Sequence, residues 1–563
     1  MIRLFDTHEI RRTKELNGSW DFEPIAAASE DLINYTYQIP VPGSWESHPH
    51  LASYRGKGTY RKIVHVSQPS TLRLCFKGVS HTADVYFDGV HVAHHYNAYT
   101  QFAAIVPNVE LGDHELVVIV DNSFSEESTL HIPNDYYTYG GIIRPVVLEY
   151  IPDIFVERIG FTPKQENDIW KAEIKVYVSN VHNRDHVVFP TIDLAGIHIN
   201  FSQTTVTAGS TIELRADCTF PDISPWSHET PNLYLLKVHL YEPGDETPID
   251  DLVERVGFRT VNVADGMIQV NGRDVKLKGF NRHEDHPLVG ASIPYSLMVQ
   301  DIELILDTGA NALRTSHYPN DERFLDLCDE RGIYVWEENH ARGLQLEQMQ
   351  KSNFRKQCAD CNREMVESHI NHPSIILWGI LNECASNTPE GREMYKEQFA
   401  QIETLDSSRL LTFASCHREH DLCLDLVDVV SFNLYPLWYS DEQPAALLQN
   451  VKEWAVAVGG MKKPLIISEF GADGFYGFRD ITGVKGTEER QARILEEILD
   501  VLLKDGEVSG MFIWQFCDCR VTEEGGWFHT RGMTQNSKGI VDRYRRPKLA
   551  YNIVKRLYRL REL

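Results

Sequence analysis

Two short apolar runs in this chain each end by presenting a carboxylate: Trp378-Gly379-Ile380-Leu381-Asn382-Glu383 and Leu465-Ile466-Ile467-Ser468-Glu469-Phe470-Gly471. Continuous apolar residues read as strands covered on both faces, and an acid at the C-terminal end sits where β/α barrels carry their chemistry. Two such acids on different strands supply what glycosidic bond cleavage needs, a proton donor and a nucleophile or base. Either alone is weak evidence, because solvated acids are common at strand ends. Together they make Glu383 the candidate acid/base and Glu469 the candidate nucleophile of a retaining, double-displacement hydrolysis. That assignment expects split proton affinities, with Glu383 raised by its ionised neighbour and Glu469 kept charged by donors.

Other apolar runs end in polar clusters as well: Asn281-Arg282-His283-Glu284-Asp285-His286, Arg314-Thr315-Ser316-His317-Tyr318, Glu337-Glu338-Asn339-His340, Asn433-Leu434-Tyr435 and Trp514-Gln515-Phe516. His283, Asp285, His286, His317 and His340 form a rival ligand set for a metallohydrolase, but no H-E-x-x-H spacing accompanies them. The expectation is therefore catalysis with no metal and no cofactor. A non-catalytic carbohydrate binder on the same scaffold is a further reading.

The elements that must position these residues follow from periodicity. Apolar runs centred on Leu277, Leu313, Val335, Leu377, Thr412, Val430, Ile466 and Phe512 alternate with amphipathic stretches such as Leu297–Asp307, Asp321–Arg331, Arg392–Leu405 and Glu488–Lys504. That pattern predicts a catalytic (β/α)8 TIM barrel over 262–563. A doubly wound sheet is the alternative, weakened because no Gly-rich phosphate loop follows an early strand. Residues 1–152 carry short alternating strands, including Thr59–Val66, Thr71–Phe76, Ala83–Gly89 and Glu115–Val120, and predict a jelly-roll β-sandwich. Residues 153–261, with Ala172–Val178 and Tyr234–Leu240, suit an immunoglobulin-like β-sandwich. The expected fold class is multidomain β plus α/β.

Composition bounds the partners. A net charge of -26 over 563 residues argues against nucleic acid, which needs a basic face. An anionic substrate would require a local positive pocket. Met1-Ile2-Arg3-Leu4-Phe5-Asp6 lacks a signal-peptide core and no run approaches membrane-spanning length, so a cytoplasmic protein with no membrane contact is expected. The ten cysteines, including the pairs Cys358/Cys361 and Cys517/Cys519, are expected as free thiols.

Asn281-Arg282-His283-Glu284-Asp285-His286-Pro287, Arg314-Thr315-Ser316-His317-Tyr318-Pro319, Asn382-Glu383 and Ser468-Glu469-Phe470-Gly471 resemble the signatures of glycoside hydrolase family 2. Pro42-Gly43-Ser44-Trp45 and Tyr139-Gly140-Gly141-Ile142 extend the resemblance into the first domain. It implies Glu383 as acid/base, Glu469 as nucleophile and Asn382 on the sugar 2-hydroxyl. His283 and Arg314 fall within the matching motifs. Asn536-Ser537-Lys538 is similar to the Asn-x-Lys motif of the family's bacterial β-glucuronidases, implying that Lys538 and Asn536 meet a C6 carboxylate. Asp135, Tyr435, Tyr439, Trp514 and Arg531 are similar to their pocket lining.

The implied activity is an exo-acting β-hexuronidase on small or oligosaccharide β-D-glucuronides and β-D-galacturonides, in a homo-oligomer, dimer or tetramer. A β-galacturonidase or a neutral-sugar β-galactosidase is the alternative. Two departures stand out. The chain after Glu338-Asn339-His340 lacks a long covering loop, so bulky aglycones are expected to enter. Arg342 stands where relatives are apolar: it either donates to an axial 4-hydroxyl, favouring galacturonides, or pairs with Glu337 or Glu347.

Overall fold

The structure, a computed structural model, describes residues 2–25, 34–523 and 528–560. The expected outer limits Met1 and Leu563 lie outside these. The first sandwich packs a four-stranded sheet (Arg12–Glu15, Val146–Ile151, Ser70–Phe76, Phe102–Val109) on a six-stranded one running from Tyr37–Val41 to Val90–Tyr96. Its alternating strands turn Trp20, Phe22, Tyr60, Leu74, Val118 and Leu148 into one buried core. The second sandwich sets Ile154–Glu166, Ile169–Asn180 and Thr211–Phe220 against a sheet built on His186–Leu194, Tyr234–Tyr241 and Asp250–Val256. Val176, Ile192, Val238 and Phe258 fill the space between.

The barrel strands are β1 (Leu277–Asn281), β2 (Ala312–Arg314), β3 (Tyr334–Glu338), β4 (Ile375–Gly379), β5 (Leu410–Thr412), β6 (Val430–Asn433), β7 (Leu465–Phe470) and β8 (Val508–Ile513). Neighbours pair in parallel, and β8 returns to β1 at Leu277↔Gly510. The ring closes through β5, which pairs with β4, while the adjoining Ala414–Ser415 pairs with β6. Every residue of β3, β4, β7 and β8 is buried, the physical reason these strands read as mainly apolar rather than alternating. Leu277, Ala312, Trp336, Leu377, Ile466 and Phe512 belong to one buried cluster. The helices cover the outside. Glu322–Arg331 shows how local chemistry sets their limits: Asp321 caps its first turn by accepting from Arg323 N, and Gly332 ends it at φ 67°.

The jelly roll reaches over the barrel mouth. Arg144 donates to Glu284 (2.9 Å) and to the Pro319 carbonyl (2.7 Å), and Tyr139 donates to Asp285 (2.8 Å). The segment between these docking points and the preceding strand Gly112–Asp121 brings Asn134, Asp135 and Tyr136 to the C-terminal ends of the barrel strands. Among the described residues no helix is long and apolar enough to cross a membrane. All ten cysteines are free, and Cys358 and Cys361 lie buried on the helix Phe354–His369.

Candidate active site

After β4 the backbone enters the left-handed region at Leu381 (φ 48°) and again at Glu383 (φ 52°). Side-chain-bearing residues seldom adopt it, so the surrounding structure must hold the turn. Glu383 N donates to the Ala414 carbonyl (3.0 Å), Leu381 N to Asn339 (3.1 Å), and Gly343 N to the Asn382 carbonyl (2.8 Å). The turn brings Asn382 and Glu383 to Asn433 at the end of β6, whose amide reaches Glu383 Oε1 (2.9 Å) and Asn382 Oδ1 (3.1 Å). Glu469, near the end of β7, lies on the far side of this network.

Arg314, fully buried at the end of β2, ties Glu469 to Asn382, the neighbour of Glu383. It donates to both oxygens of Glu338 (2.9 and 3.0 Å), to Asn281 (2.8 Å), to Glu469 Oε1 (2.9 Å) and to Asn382 Oδ1 (2.8 Å). The Tyr435 hydroxyl occupies the other Glu469 oxygen at 2.7 Å. Burial pushes Glu469 up to about 7, the Glu383 charge adds to the rise, and Arg314 and Tyr435 hold it back. The expectation that donors keep Glu469 ionised is thus corrected: desolvation outweighs two good hydrogen bonds.

Arg342 is also corrected. It pairs with neither Glu337 nor Glu347. Glu337 instead accepts from Asn320 N and faces His369. The Arg342 guanidinium reaches Glu383 Oε2 (3.3 Å) and Asn134 Oδ1 (2.6 Å), and its Nε is buried with no protein partner.

The histidines are divided among separate partners rather than converging. His283 shares a hydrogen bond with the Tyr318 hydroxyl (3.1 Å), and burial beside Arg342, Arg314 and Arg282 pushes it down to about 3. His317 bonds Glu338 (2.8 Å) and stacks on Trp514 with ring centroids 5.0 Å apart. His340 bonds Tyr136 (2.9 Å), His286 packs on Tyr544, and Asp285 accepts from Tyr139 and Arg543. Among the described residues, the groups arranged to hold a metal are Asp153/His182/His186 and Asp326/Asp329/His372, which include none of these five.

At the other end of the pocket Asp135 from the jelly roll accepts from Arg531 Nε and from the Asn536 amide, both at 2.9 Å. Arg531 also reaches Tyr439 (3.4 Å) and Asp473 (3.2 Å). Lys538 is 1% exposed. Its ammonium lies 5.9, 5.7 and 5.1 Å from the ring centres of Tyr435, Trp438 and Tyr439. The structure thus joins all the sequence-derived candidates in one connected network of contacts. Sequence reasoning missed Asp473 and Asn134 and gave no role to Asn433 or Glu338. The last two were visible as strand-end polar residues, and Asn134 adjoins Asp135. Asp473 carried no signal beyond following Glu469 by four positions.

A barrel with two facing strand-end acids, fed by a sandwich loop, defines a glycosidase. Residues 261–562 match the family model for the TIM barrel domain of glycosyl hydrolases family 2, 154–259 its middle domain, and 13–152 its sugar-binding domain. The chain belongs to glycoside hydrolase family 2. A solved β-galacturonidase from Eisenbergiella tayi bound to galacturonate is 45% identical, with a TM-score of 0.94 over 100% of this chain and 99% of that one. A β-glucuronidase from an uncultured Clostridium sp. is 26% identical, with a TM-score of 0.86 over 100% and 99%. The β-glucuronidase of Sus scrofa is 28% identical over 97% of this chain and 90% of its own length.

Proposed function

We propose that this enzyme is a retaining, exo-acting β-hexuronidase that takes β-D-glucuronides and β-D-galacturonides. The observation that carries it is that Tyr435, whose hydroxyl bonds Glu469, also lies beside the Lys538 ammonium, while Asn433 joins Glu383 to the same network. Glu469 attacks the anomeric carbon while Glu383 protonates the leaving oxygen, and Glu383 then activates water against the glycosyl-enzyme. Lys538 and Asn536 receive the C6 carboxylate, and Asp135 and Arg531 hold the hydroxyls beyond it. Asn382 Nδ2 and His283 Nε2 are buried without protein partners, which suits donors reserved for sugar hydroxyls. Proton NMR of the first-formed sugar should show the β anomer, and aryl uronides should be cleaved far faster than the matching neutral hexosides. An initial α anomer, or a preference for neutral sugars, defeats the reading.

The preference for galacturonides is favoured by Arg342. Its buried, unpaired Nε is available to a hydroxyl, and the Eisenbergiella tayi relative carries that activity in its name. Leaving a buried donor unpaired costs about 1–3 kcal/mol, so Arg342→Val should shift kcat/KM toward glucuronides by roughly ten- to hundredfold. An unchanged ratio makes Arg342 a bystander.

The same proposal takes 1–152, 153–261 and 262–563 as the domain limits, supported by the segments that match the family models. It also takes the enzyme to be cytoplasmic, in keeping with its free cysteines, and homo-oligomeric, which light scattering would test.

A further inference from the structure

Asp473 is an acid beside Lys538 and Arg531 that the proposed function leaves without a task. It sits just past β7, and its side chain is 14% exposed. Both of its oxygens face the Lys538 ammonium, at 3.4 and 3.5 Å, and Oδ2 also accepts from Arg531 Nη1 at 3.2 Å. Charge-assisted contacts are normally about 2.7–2.9 Å, so the Lys538 pair is a loose one. The contact from Arg531 is the shorter of the two.

Asp473 faces both Lys538 and Arg531, and Asp135 is already committed to Arg531 and Asn536. An arriving uronate therefore meets a lysine already facing a carboxylate. Burying an ammonium among aromatic rings with no anion beside it is costly.

We propose that Asp473 is an internal counter-ion that stands in for the substrate carboxylate, and that Lys538 exchanges it for the uronate when the sugar binds. Asp473 keeps Arg531 during the exchange, so it is not stranded. The device holds the Lys538 ammonium aimed before the sugar binds. It weakens the grip on the free uronic acid after cleavage, because Asp473 competes for the same ammonium. Asp473 is thereby a specificity-determining residue that sets uronate affinity through Lys538. This rests on the reading that Lys538 receives the uronate.

The test is product inhibition by free glucuronate and galacturonate, measured with the full chain on an aryl uronide. Asp473→Asn keeps the shape and removes the charge. It should tighten the inhibition constant roughly tenfold, lower KM for uronides, and lower kcat if sugar release becomes slow. The uronide-to-hexoside ratio of kcat/KM should rise. Asp473→Ser removes the charge with a smaller group and should move the inhibition constant the same way, while circular dichroism and Tm report the fold of both. Unchanged or weaker uronate inhibition in both variants, with Lys538→Ala still selectively losing uronide activity, means that Asp473 only props up Lys538 and overturns the inference. If Lys538→Ala instead loses uronide and neutral activity equally, the carboxylate pocket itself fails and the counter-ion falls with it.

Discussion

Glu383 and Glu469 differ in surroundings more than in chemistry. One meets an amide and an arginine; the other is buried between a guanidinium and a phenol. Glu469→Gln should abolish turnover of every substrate. Glu383→Gln should spare the first step for aryl uronides with acidic leaving groups, and azide should restore turnover by replacing activated water. Identical behaviour across leaving groups would reverse or cancel these roles, as steady-state rates would show. The pH profile follows from the buried nucleophile. Glu469 must be ionised to attack and its affinity is pushed up to about 7, so kcat/KM of the free enzyme should rise as pH climbs through that value. The Tyr435 hydroxyl favours the carboxylate. Tyr435→Phe should therefore move this acid limb upward, by roughly one pH unit for one lost hydrogen bond to a charge. A limb that stays in place would show that another group controls it. Both acids were legible in the sequence because each closes an unbroken apolar run. The proton affinity of Glu469 was not, since burial is a property of the assembled mouth. For Arg342 the sequence offers a donor to an axial 4-hydroxyl or a partner of the nearby Glu337 or Glu347; the second is excluded because it meets Asn134, brought in from another domain.

At the scale of elements, the strand ends do the aiming. The φ of Gly471 is +154°, and a Cβ there would lie 2.3 Å from the Trp514 carbonyl, so β7 can close against β8 only without a side chain. Gly471→Ala should displace the end of β7 and with it Glu469. The expected result is a fall in kcat of roughly a hundredfold or more, out of proportion to a modest loss of Tm, because small misplacements of a reacting group are costly. A variant that loses stability but keeps kcat would show that the strand end tolerates movement. The eight barrel strands were readable from sequence because strands covered on both faces admit little but apolar residues. The helices Pro444–Ala457 and Leu549–Arg559 were not singled out, and the segment carrying Asn134 to Tyr136 has no repeating pattern to read.

Across the whole molecule, the jelly roll is part of the site. Arg144 and Glu284 are almost wholly buried where it docks, and breaking such a pair costs about 3–5 kcal/mol because the remaining charge is stranded. Arg144→Ala should lower Tm by several degrees and reduce activity on uronides and neutral hexosides alike, through the misplaced Asp135 loop. A selective loss on uronides alone would instead give Arg144 a role in substrate choice. The domain order was legible from the change of period along the chain. The docking was not, because Arg144 and Glu284 are far apart in sequence and the strand-end cluster that holds Glu284 does not reveal its partner.

Asp135, Arg531 and Asn536 bond to one another and join the jelly roll to the barrel. With the exo action proposed for this site, a polysaccharide is met only at its tip. Degradation would then release monosaccharide from the start and shorten the polymer gradually, with viscosity falling late. The rate would follow the number of non-reducing termini, so a partner endo-acting enzyme that makes new termini would speed it without touching this protein at all.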